Sequence, residues 1–181
     1  MADDREAVKC SRCVTDLAYV DPSRQRSVLT RAFVTIGTIR PARFVSRHLL
    51  WKLDPLLLRI TRGRVSSTLV VRTGVLGTTG AKTGEARRNA VIYFHDGERV
   101  TIVASHAGYP RHPAWFHNLV ARPDVTFGSR PMRAAVVADE AERERLWKLA
   151  DRVFPPYANY RRAAAKSGRT VPIVQLVSRE R

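Results

Sequence analysis

Apolar residues recur at two different spacings along the chain. Between residues 44 and 60 they return every three or four positions with basic residues between them, which predicts an amphipathic helix that Pro55 kinks or splits. Beyond Gly63, short β-branched runs bounded by turn residues predict strands over residues 68–72, 75–79, 89–94, 99–104, 125–127, 132–137 and 172–177. Two further stretches predict helices over residues 113–121 and 140–154. Many short strands with a few helices between them predict an α+β fold built around a small antiparallel barrel.

The chain has 181 residues, a length that suits one domain. We expect residues 1–40 to form a loose leader with a short helical segment, because apolar periodicity is weak there. Residues 41–181 then form the barrel domain, and residues 41–63 are its basic amphipathic helix. Cys10 and Cys13 have a CxxC spacing within the leader, but no second ligand pair follows, so we interpret them as incidental thiols.

Positive charge dominates the composition. The 32 Lys and Arg outnumber the 16 Asp and Glu, so the expected partners are anionic: nucleic acid, phospholipid headgroups or a phosphorylated cofactor. Nucleic acid ranks last, because no helix-turn-helix, RNP-type strand or zinc finger accompanies the arginines. No apolar run is long enough to span a membrane and no secretory signal begins the sequence, so we expect a cytoplasmic protein. Packing on the domain's own core is the preferred interpretation of the basic helix, with peripheral contact to an anionic membrane as the alternative.

Three stretches carry candidate chemistry. The run GAKTGEARR, from Gly80 to Arg88, predicts a glycine-rich turn whose cations attract phosphate or carboxylate. Residues 104–119 join small residues at a strand end to a helix that starts with proline, and free N–H groups there suit a polar ring edge. On spacing alone, the aromatic residues from Phe154 to Tyr160 are interpreted as core packing, with a lid over a flat ring as the alternative.

His106, His112 and His117 raise the question of a metal site. His112 and His117 are five positions apart, which predicts rings that diverge on one helix, and no Asp, Glu or Cys stands beside them. We therefore predict no metal here.

The order of these stretches resembles the deazaflavin-dependent nitroreductase family, whose members use coenzyme F420. The motifs that carry the resemblance are TTG-x-KTG, a DG hairpin, AS-x-x-G, HPAW-x-x-NL, a late tyrosine pair and a terminal Thr-x-Pro-Ile strand, spread over residues 70–177. The resemblance implies a split β-barrel of six or seven strands with flanking helices, related to FMN-binding oxidoreductases.

The resemblance also implies roles for individual residues. The phosphate and acidic arm of the coenzyme would be held by Lys82, Thr83 and Arg87, with Arg88 as an additional cation. The polar edge and the floor of the deazaflavin ring would be contacted by Ala104, Ser105, His106, Ala107, Gly108, Pro113, Ala114 and Trp115. The substrate would face Phe154, Tyr157 and Tyr160, and the two tyrosines would be the catalytic hydroxyl donors. The sequence departs from the family pattern where His106-Ala107 replaces the usual Lys-Gly and where Phe154 replaces the tyrosine of some relatives.

The leading functional hypothesis is an F420H2-dependent reductase that transfers a hydride to a quinone, a nitro compound or an activated alkene. A menaquinone-like acceptor would place the basic helix at the inner face of the cell membrane. The alternatives are an FMN-dependent oxidoreductase and a non-catalytic protein that stores the coenzyme or binds a fatty acyl chain. The excess of positive charge favours the deazaflavin over FMN, because its arm carries a phosphodiester and several glutamates. The resemblance further implies a homodimer.

Overall fold

Six strands form a closed antiparallel barrel in the order β1-β2-β3-β6-β5-β4 within residues 18–23 and 72–179, the part of the chain that this computed structural model describes. The strands are β1 Thr73–Thr79, β2 Ala86–Asp96, β3 Arg99–Val103, β4 Asp124–Phe127, β5 Arg130–Val136 and β6 Ile173–Ser178. The helices are α1 Ala114–Ala121, α2 Glu140–Val153 and α3 Tyr157–Ala165. The predicted α+β barrel is therefore confirmed, and each strand predicted beyond residue 72 has an observed counterpart.

Alternation along the strands divides the apolar side chains between the inside and the outside of the barrel wall. Leu76, Tyr93 and Ile102 belong to the interior cluster, in which they pack with Phe127. Gly74 lies against the Phe127 ring, and a Cβ atom at this position would stand 2.3 Å from the ring Cζ. Glycine is therefore required where β1 crosses this ring.

A second apolar cluster covers part of the barrel's outer surface. α2 and α3 contribute Leu146, Trp147, Ala150, Val153, Tyr157 and Ala164, and the barrel strands contribute Phe94, Val103 and Ile173. The Asp139 side chain caps α2 by accepting a hydrogen bond from the Glu142 N–H at 2.7 Å. This packing fixes both helices beside β3 and β6.

α3 has no counterpart among the predicted helices. The Pro155-Pro156 pair indicates that a helix ends before it, and α2 does end at Val153. Pro156 nevertheless occupies the N-cap of α3, a place where its missing N–H costs nothing. A second helix therefore begins where the sequence predicts only an aromatic segment.

Part of the predicted loose leader contacts the barrel. The Val20 N–H donates to His95 Nδ1 at 3.1 Å, and the His95 N–H donates back to the Val20 carbonyl at 2.9 Å. The Tyr93 hydroxyl donates to the Ala18 carbonyl at 2.9 Å. These bonds attach residues 18–20 to β2.

Several predictions fall outside the described residues. They are the amphipathic helix over 41–63, most of the strand over 68–72, the rest of the leader, Cys10 and Cys13. The division into leader and barrel domain therefore stays a prediction. No helix in residues 18–23 and 72–179 is long and apolar enough to cross a membrane.

Candidate active site

The loop between β1 and β2 carries the first group of candidate residues. The Gly80 N–H donates to the Glu85 carbonyl at 2.8 Å, and the Gly84 N–H donates to the Gly80 carbonyl at 2.9 Å. Gly84 has a φ of 72°, the left-handed backbone conformation that glycine adopts without steric cost. Lys82 and Thr83 at the tip are exposed. The tip can therefore meet a ligand without rearrangement of the barrel.

The predicted turn is shorter than its sequence suggests. β2 begins at Ala86, so Arg87 and Arg88 lie on a strand, opposite Thr78 and Gly77 of β1. The two arginines point to opposite faces, since neighbours on a strand alternate. The prediction of a single turn from Gly80 to Arg88 is wrong at its end, because strand pairing extends through both arginines.

Arg87 already has an ionic partner within the loop. Its guanidinium lies 2.5 Å from a Glu85 carboxylate oxygen, and the two side chains are 56% and 63% exposed. An exposed pair of this kind contributes little stability, about 0–1 kcal/mol. An incoming anion therefore competes with Glu85 for Arg87.

Two side chains at the C-terminal part of α1, Asn118 and Arg122, form hydrogen bonds with this loop, and neither was among the candidate residues. Asn118 accepts from the Ala81 N–H at 3.0 Å and donates to Thr78 Oγ1 at 3.2 Å. Arg122 donates to the Gly80 carbonyl at 3.2 Å. Asn118 is the asparagine of the HPAW-x-x-NL motif, so the sequence singled out this residue but did not predict its bonds to the loop. Arg122 adds a further cation beside the loop.

A left-handed turn, residues Ser105–Gly108, forms the second part of the site. Its φ angles are −68° at Ser105 and 48°, 51° and 79° at His106, Ala107 and Gly108. Each non-glycine residue in this conformation costs about 1–2 kcal/mol, so the surrounding structure must hold the turn in place. The Gly108 and Tyr109 N–H groups donate to the Ser105 and His106 carbonyls, each at 3.0 Å.

Free N–H groups remain on the outer side of this turn. Within the part of the chain that the structure describes, no hydrogen bond occupies the N–H groups of His106 and Ala107, and both residues are exposed. A right-handed residue followed by a left-handed one, as at Ser105-His106, makes a backbone nest that binds negative charge. The turn thus suits the partly negative oxygen of a planar ring.

The turn is pressed against α3 at Gly108. A Cβ atom on Gly108 would lie 2.8 Å from Ala163 Cβ and 2.9 Å from the Tyr160 carbonyl oxygen. The His106 ring Nδ1 donates to the Arg111 carbonyl at 2.9 Å. Two stretches that are about fifty residues apart in sequence therefore meet with no space between their backbones.

Arg169 supports the turn from inside the protein, and the sequence did not single it out. Its side chain donates to the carbonyls of Ala104, Ser105 and Tyr109 and to His112 Nδ1. Because His112 Nδ1 accepts this bond, the neutral ring carries its proton on Nε2. Burial, followed by the charges of Arg169 and His117, holds the pKa of His112 below its usual value.

The two histidines of the helix region lie close together, so the predicted divergence is wrong. The ring centroids of His112 and His117 are 5.9 Å apart, because His112 precedes α1 on an extended segment rather than lying on the helix. In residues 18–23 and 72–179, no group of three or more His, Cys, Asp or Glu side chains could hold a metal ion.

The aromatic residues near α3 differ in exposure. Phe154, Tyr157 and Tyr160 form a triangle with ring centroids 5.0, 6.1 and 6.3 Å apart. Tyr157 is only 3% exposed, and burial raises the pKa of its phenol above the usual value. Tyr160 is half-buried and lies beside Gly108. The two tyrosines that the resemblance treats as a pair therefore have different environments.

The segment before α1 also separates into inward and outward residues. Pro113 is buried, Ala114 is exposed, and Trp115 is 8% exposed within the interior cluster of the barrel. Trp115 therefore packs the core behind the site, and Ala114 lies at its surface.

α1 connects the two parts of the site. Its N-terminal side meets the left-handed turn through Arg111 and His112, and its C-terminal side meets the loop through Asn118 and Arg122. Eight helical residues span about 12 Å. A ligand with a polar planar ring at one end and an anionic arm at the other fits this arrangement of donors and cations.

The closed antiparallel barrel with its flanking helices is a split-barrel fold, and the loop and the left-handed turn together form its candidate site. A sequence model of the F420H2-dependent quinone reductase family matches residues 52–178. The chain belongs to this family, whose cofactor is coenzyme F420.

The chain is also similar to individual proteins. The F420H2-dependent quinone reductase Rv1261c of Mycobacterium tuberculosis is 34% identical over 149 residues, which cover 76% of this chain and 98% of the relative. A solved F420-H2 dependent reductase (FDR-A) is 32% identical, covering 57% of this chain and 92% of its own, with a TM-score of 0.49. Another solved structure, described as a domain-swapped dimer, is 28% identical and covers 70% of this chain and 96% of its own, with a TM-score of 0.50.

Proposed function

We propose that this chain reduces a quinone with coenzyme F420 bound along α1, its arm at the β1–β2 loop and its ring at the left-handed turn. The observation that supports the proposal is the close contact of Gly108 with the backbone of Tyr160, which joins the turn that carries free N–H groups to the helix that carries the tyrosine. Family membership supports the cofactor and the quinone.

The arm would be held mainly by charge. Lys82 and Arg87 supply cations at the exposed loop, with Thr83 as a hydroxyl partner and Arg122 beside the loop. Arg88, on the opposite face of β2 from Arg87, would add only to the local positive charge. Arg87 can form a bidentate pair with a carboxylate or phosphate once it leaves Glu85. Solvent screens each of these interactions, so several cations are needed for useful affinity.

The ring would be held mainly by the backbone. The N–H groups of His106 and Ala107 would donate to a ring oxygen, with Ser105 and Ala114 alongside. The reduced coenzyme supplies a hydride when it is bound. The residues of this chain orient the ring, and the apolar packing behind Pro113 and Trp115 excludes water from that side.

Hydride transfer to a quinone leaves negative charge on a quinone oxygen until a proton arrives. Tyr160 is the hydroxyl donor that we assign to this oxygen, since its side chain is half-buried and its backbone contacts Gly108 of the turn. Tyr157 stays protonated in the outer apolar cluster and fixes the Tyr160 ring by edge contact at 6.3 Å. Phe154 completes the wall on the substrate side.

The proposal extends to electron acceptors other than simple quinones. An open site that holds the ring by its edge would also accept a nitro compound or an activated alkene, and a menaquinone-like acceptor would bring the protein to the membrane surface. The domain-swapped relative supports a homodimer. The basic segment over residues 41–63, which the sequence predicts to be a helix, is the part of the chain that we assign to contact with anionic lipid.

The test is turnover of reduced coenzyme F420 with menadione as the acceptor, followed by the absorbance of the oxidised coenzyme. Tyr160→Phe should lower kcat by about tenfold and leave the coenzyme Kd within about twofold of wild type. Tyr157→Phe is the matched control and should lower thermal stability more than kcat. Wild-type protein that binds the coenzyme without turnover would contradict the proposal, as would an unchanged kcat in Tyr160→Phe.

A further inference from the structure

The left-handed turn rests on a buried cation. Arg169 follows α3 and is only 7% exposed. Its guanidinium donates to the Ala104 and Tyr109 carbonyls at 2.5 Å each and to the Ser105 carbonyl at 3.1 and 3.2 Å. Ala104 precedes the turn, Ser105 is its first residue and Tyr109 follows it, so one side chain joins its two ends.

The acceptors that surround this cation in the described part of the chain are neutral. The Nε–H donates to His112 Nδ1 at 3.1 Å, and within residues 18–23 and 72–179 no carboxylate forms an ion pair with the guanidinium. Burial of a charge without an opposite charge is costly, and burial lowers the pKa of Arg169. A packing role alone would be filled at lower cost by an apolar residue of similar size.

The geometry explains why arginine is needed. Four acceptors lie around one planar group, and the five N–H donors of a guanidinium form a fixed fork that can meet them together. Lysine has three donors on a single atom and cannot bridge the same set. The turn also needs such a bridge, because His106 and Ala107 hold an unfavourable backbone conformation.

We propose that Arg169 is a positioning residue of the coenzyme site, which fixes the two ends of the left-handed turn and keeps the His106 and Ala107 N–H groups ready for the ring. The role is indirect, since the guanidinium lies behind the turn. The identity of the ligand rests on the proposed function. The bonds of Arg169 to the turn do not depend on the coenzyme.

Two variants of Arg169 and one control test this role. Arg169→Met removes the fork, and Arg169→Lys keeps the charge without the fork. Arg161→Met is the control, because Arg161 is a half-buried arginine on α3 that pairs with Asp151 and lies 4.2 Å from the Trp147 ring centroid, away from the turn.

Amide hydrogen exchange of the ligand-free protein is the first measurement. We expect the hydrogen-bonded amides of Gly108 and Tyr109 to exchange faster by about tenfold or more in Arg169→Met, with a smaller change in Arg161→Met. Equal exchange at these amides in Arg169→Met and wild type would overturn the proposal, whatever the ligand.

The second measurement is the Kd of oxidised coenzyme F420 by calorimetry, with thermal unfolding run in parallel. We expect both Arg169 variants to weaken binding by about tenfold and Arg161→Met to stay within about twofold at a comparable loss of stability. Wild-type affinity in Arg169→Lys would overturn the positioning role, because charge alone would then suffice. A wild type that binds no coenzyme would instead refute the proposed function, while the exchange result would still stand for Arg169.

Discussion

The two parts of the site use opposite means of recognition. The β1–β2 loop offers exposed side-chain charges, of which Arg87 is paired with Glu85. The left-handed turn offers backbone N–H groups and is held by buried contacts to Arg169 and to the backbone of Tyr160. Recognition at the loop depends on side-chain charge, and recognition at the turn depends on backbone geometry.

This difference determines how each part responds to change. Exposed charges are screened by salt and can be replaced by neighbouring cations, so single substitutions in the loop should have graded effects. A backbone turn has no substitute, and an error of a few tenths of an ångström affects every bond it makes. We therefore expect substitutions in the turn to weaken coenzyme binding more than substitutions in the loop.

Gly108→Ala should have the largest effect. The position combines a φ of 79° with a Cβ contact of 2.8 Å to Ala163, so we expect a loss of about 2–4 kcal/mol in the free energy of unfolding. Binding of the coenzyme should weaken by about a hundredfold, because the turn must shift. Chemical denaturation and calorimetry measure the two effects.

Gly97→Ala is the matched control for this substitution. Gly97 has a φ of 60° but no atom within 4 Å of the added Cβ, so only the backbone cost of about 1 kcal/mol remains. Its coenzyme Kd should equal that of wild type. If Gly108→Ala were as mild as Gly97→Ala, the close contact with α3 would not matter for binding.

Reversal of charge at the loop should have the next largest effect. We expect Lys82→Glu combined with Arg87→Glu to weaken coenzyme binding by about thirtyfold at low salt, and the difference from wild type to shrink as salt rises. Lys148→Glu combined with Arg152→Glu, two exposed substitutions on α2, makes the same change in net charge and is the control. A difference that is independent of salt would contradict recognition by exposed charge.

Glu85→Gln should strengthen binding. The substitution removes the carboxylate that lies 2.5 Å from Arg87 and leaves the arginine available for the ligand, so we expect the Kd to fall by about threefold. Titration of the coenzyme at low salt measures the change. A weaker complex would show that Glu85 positions Arg87 rather than competing for it.

Acid should weaken the turn before it affects the loop. Burial keeps the pKa of His112 below its usual value, so the folded state favours the neutral ring. The stability contributed by this ring is complete above the unfolded pKa of about 6.5 and is lost as the pH falls through the folded value. His112→Gln should flatten the decline in stability below pH 6.5, although His95, whose pKa is also lowered by burial, keeps part of it. An unchanged profile in thermal unfolding would contradict this assignment.

The sequence predicts those features that depend on neighbouring residues. The Asp96-Gly97 hairpin, the alternation in β1 to β6 and the cationic loop are all local patterns, and the structure contains each of them. The left-handed turn could not be predicted, because His106 and Ala107 disfavour its conformation and contacts with Arg169 and α3, which are distant in sequence, hold it. The spacing of Tyr157 and Tyr160 also could not show that Tyr157 is buried and Tyr160 only half-buried.

The most direct test of the central claim compares two ligands: coenzyme F420 and the same deazaflavin without its phosphate and glutamate arm. Calorimetric titration would use wild type, the loop variant Lys82→Glu with Arg87→Glu, and Gly108→Ala. We predict that the loop variant loses affinity for the complete coenzyme alone, and that Gly108→Ala loses affinity for both ligands. Equal losses for both ligands in the loop variant, or no binding of the coenzyme by wild type, would contradict a site that holds the arm at the loop and the ring at the turn.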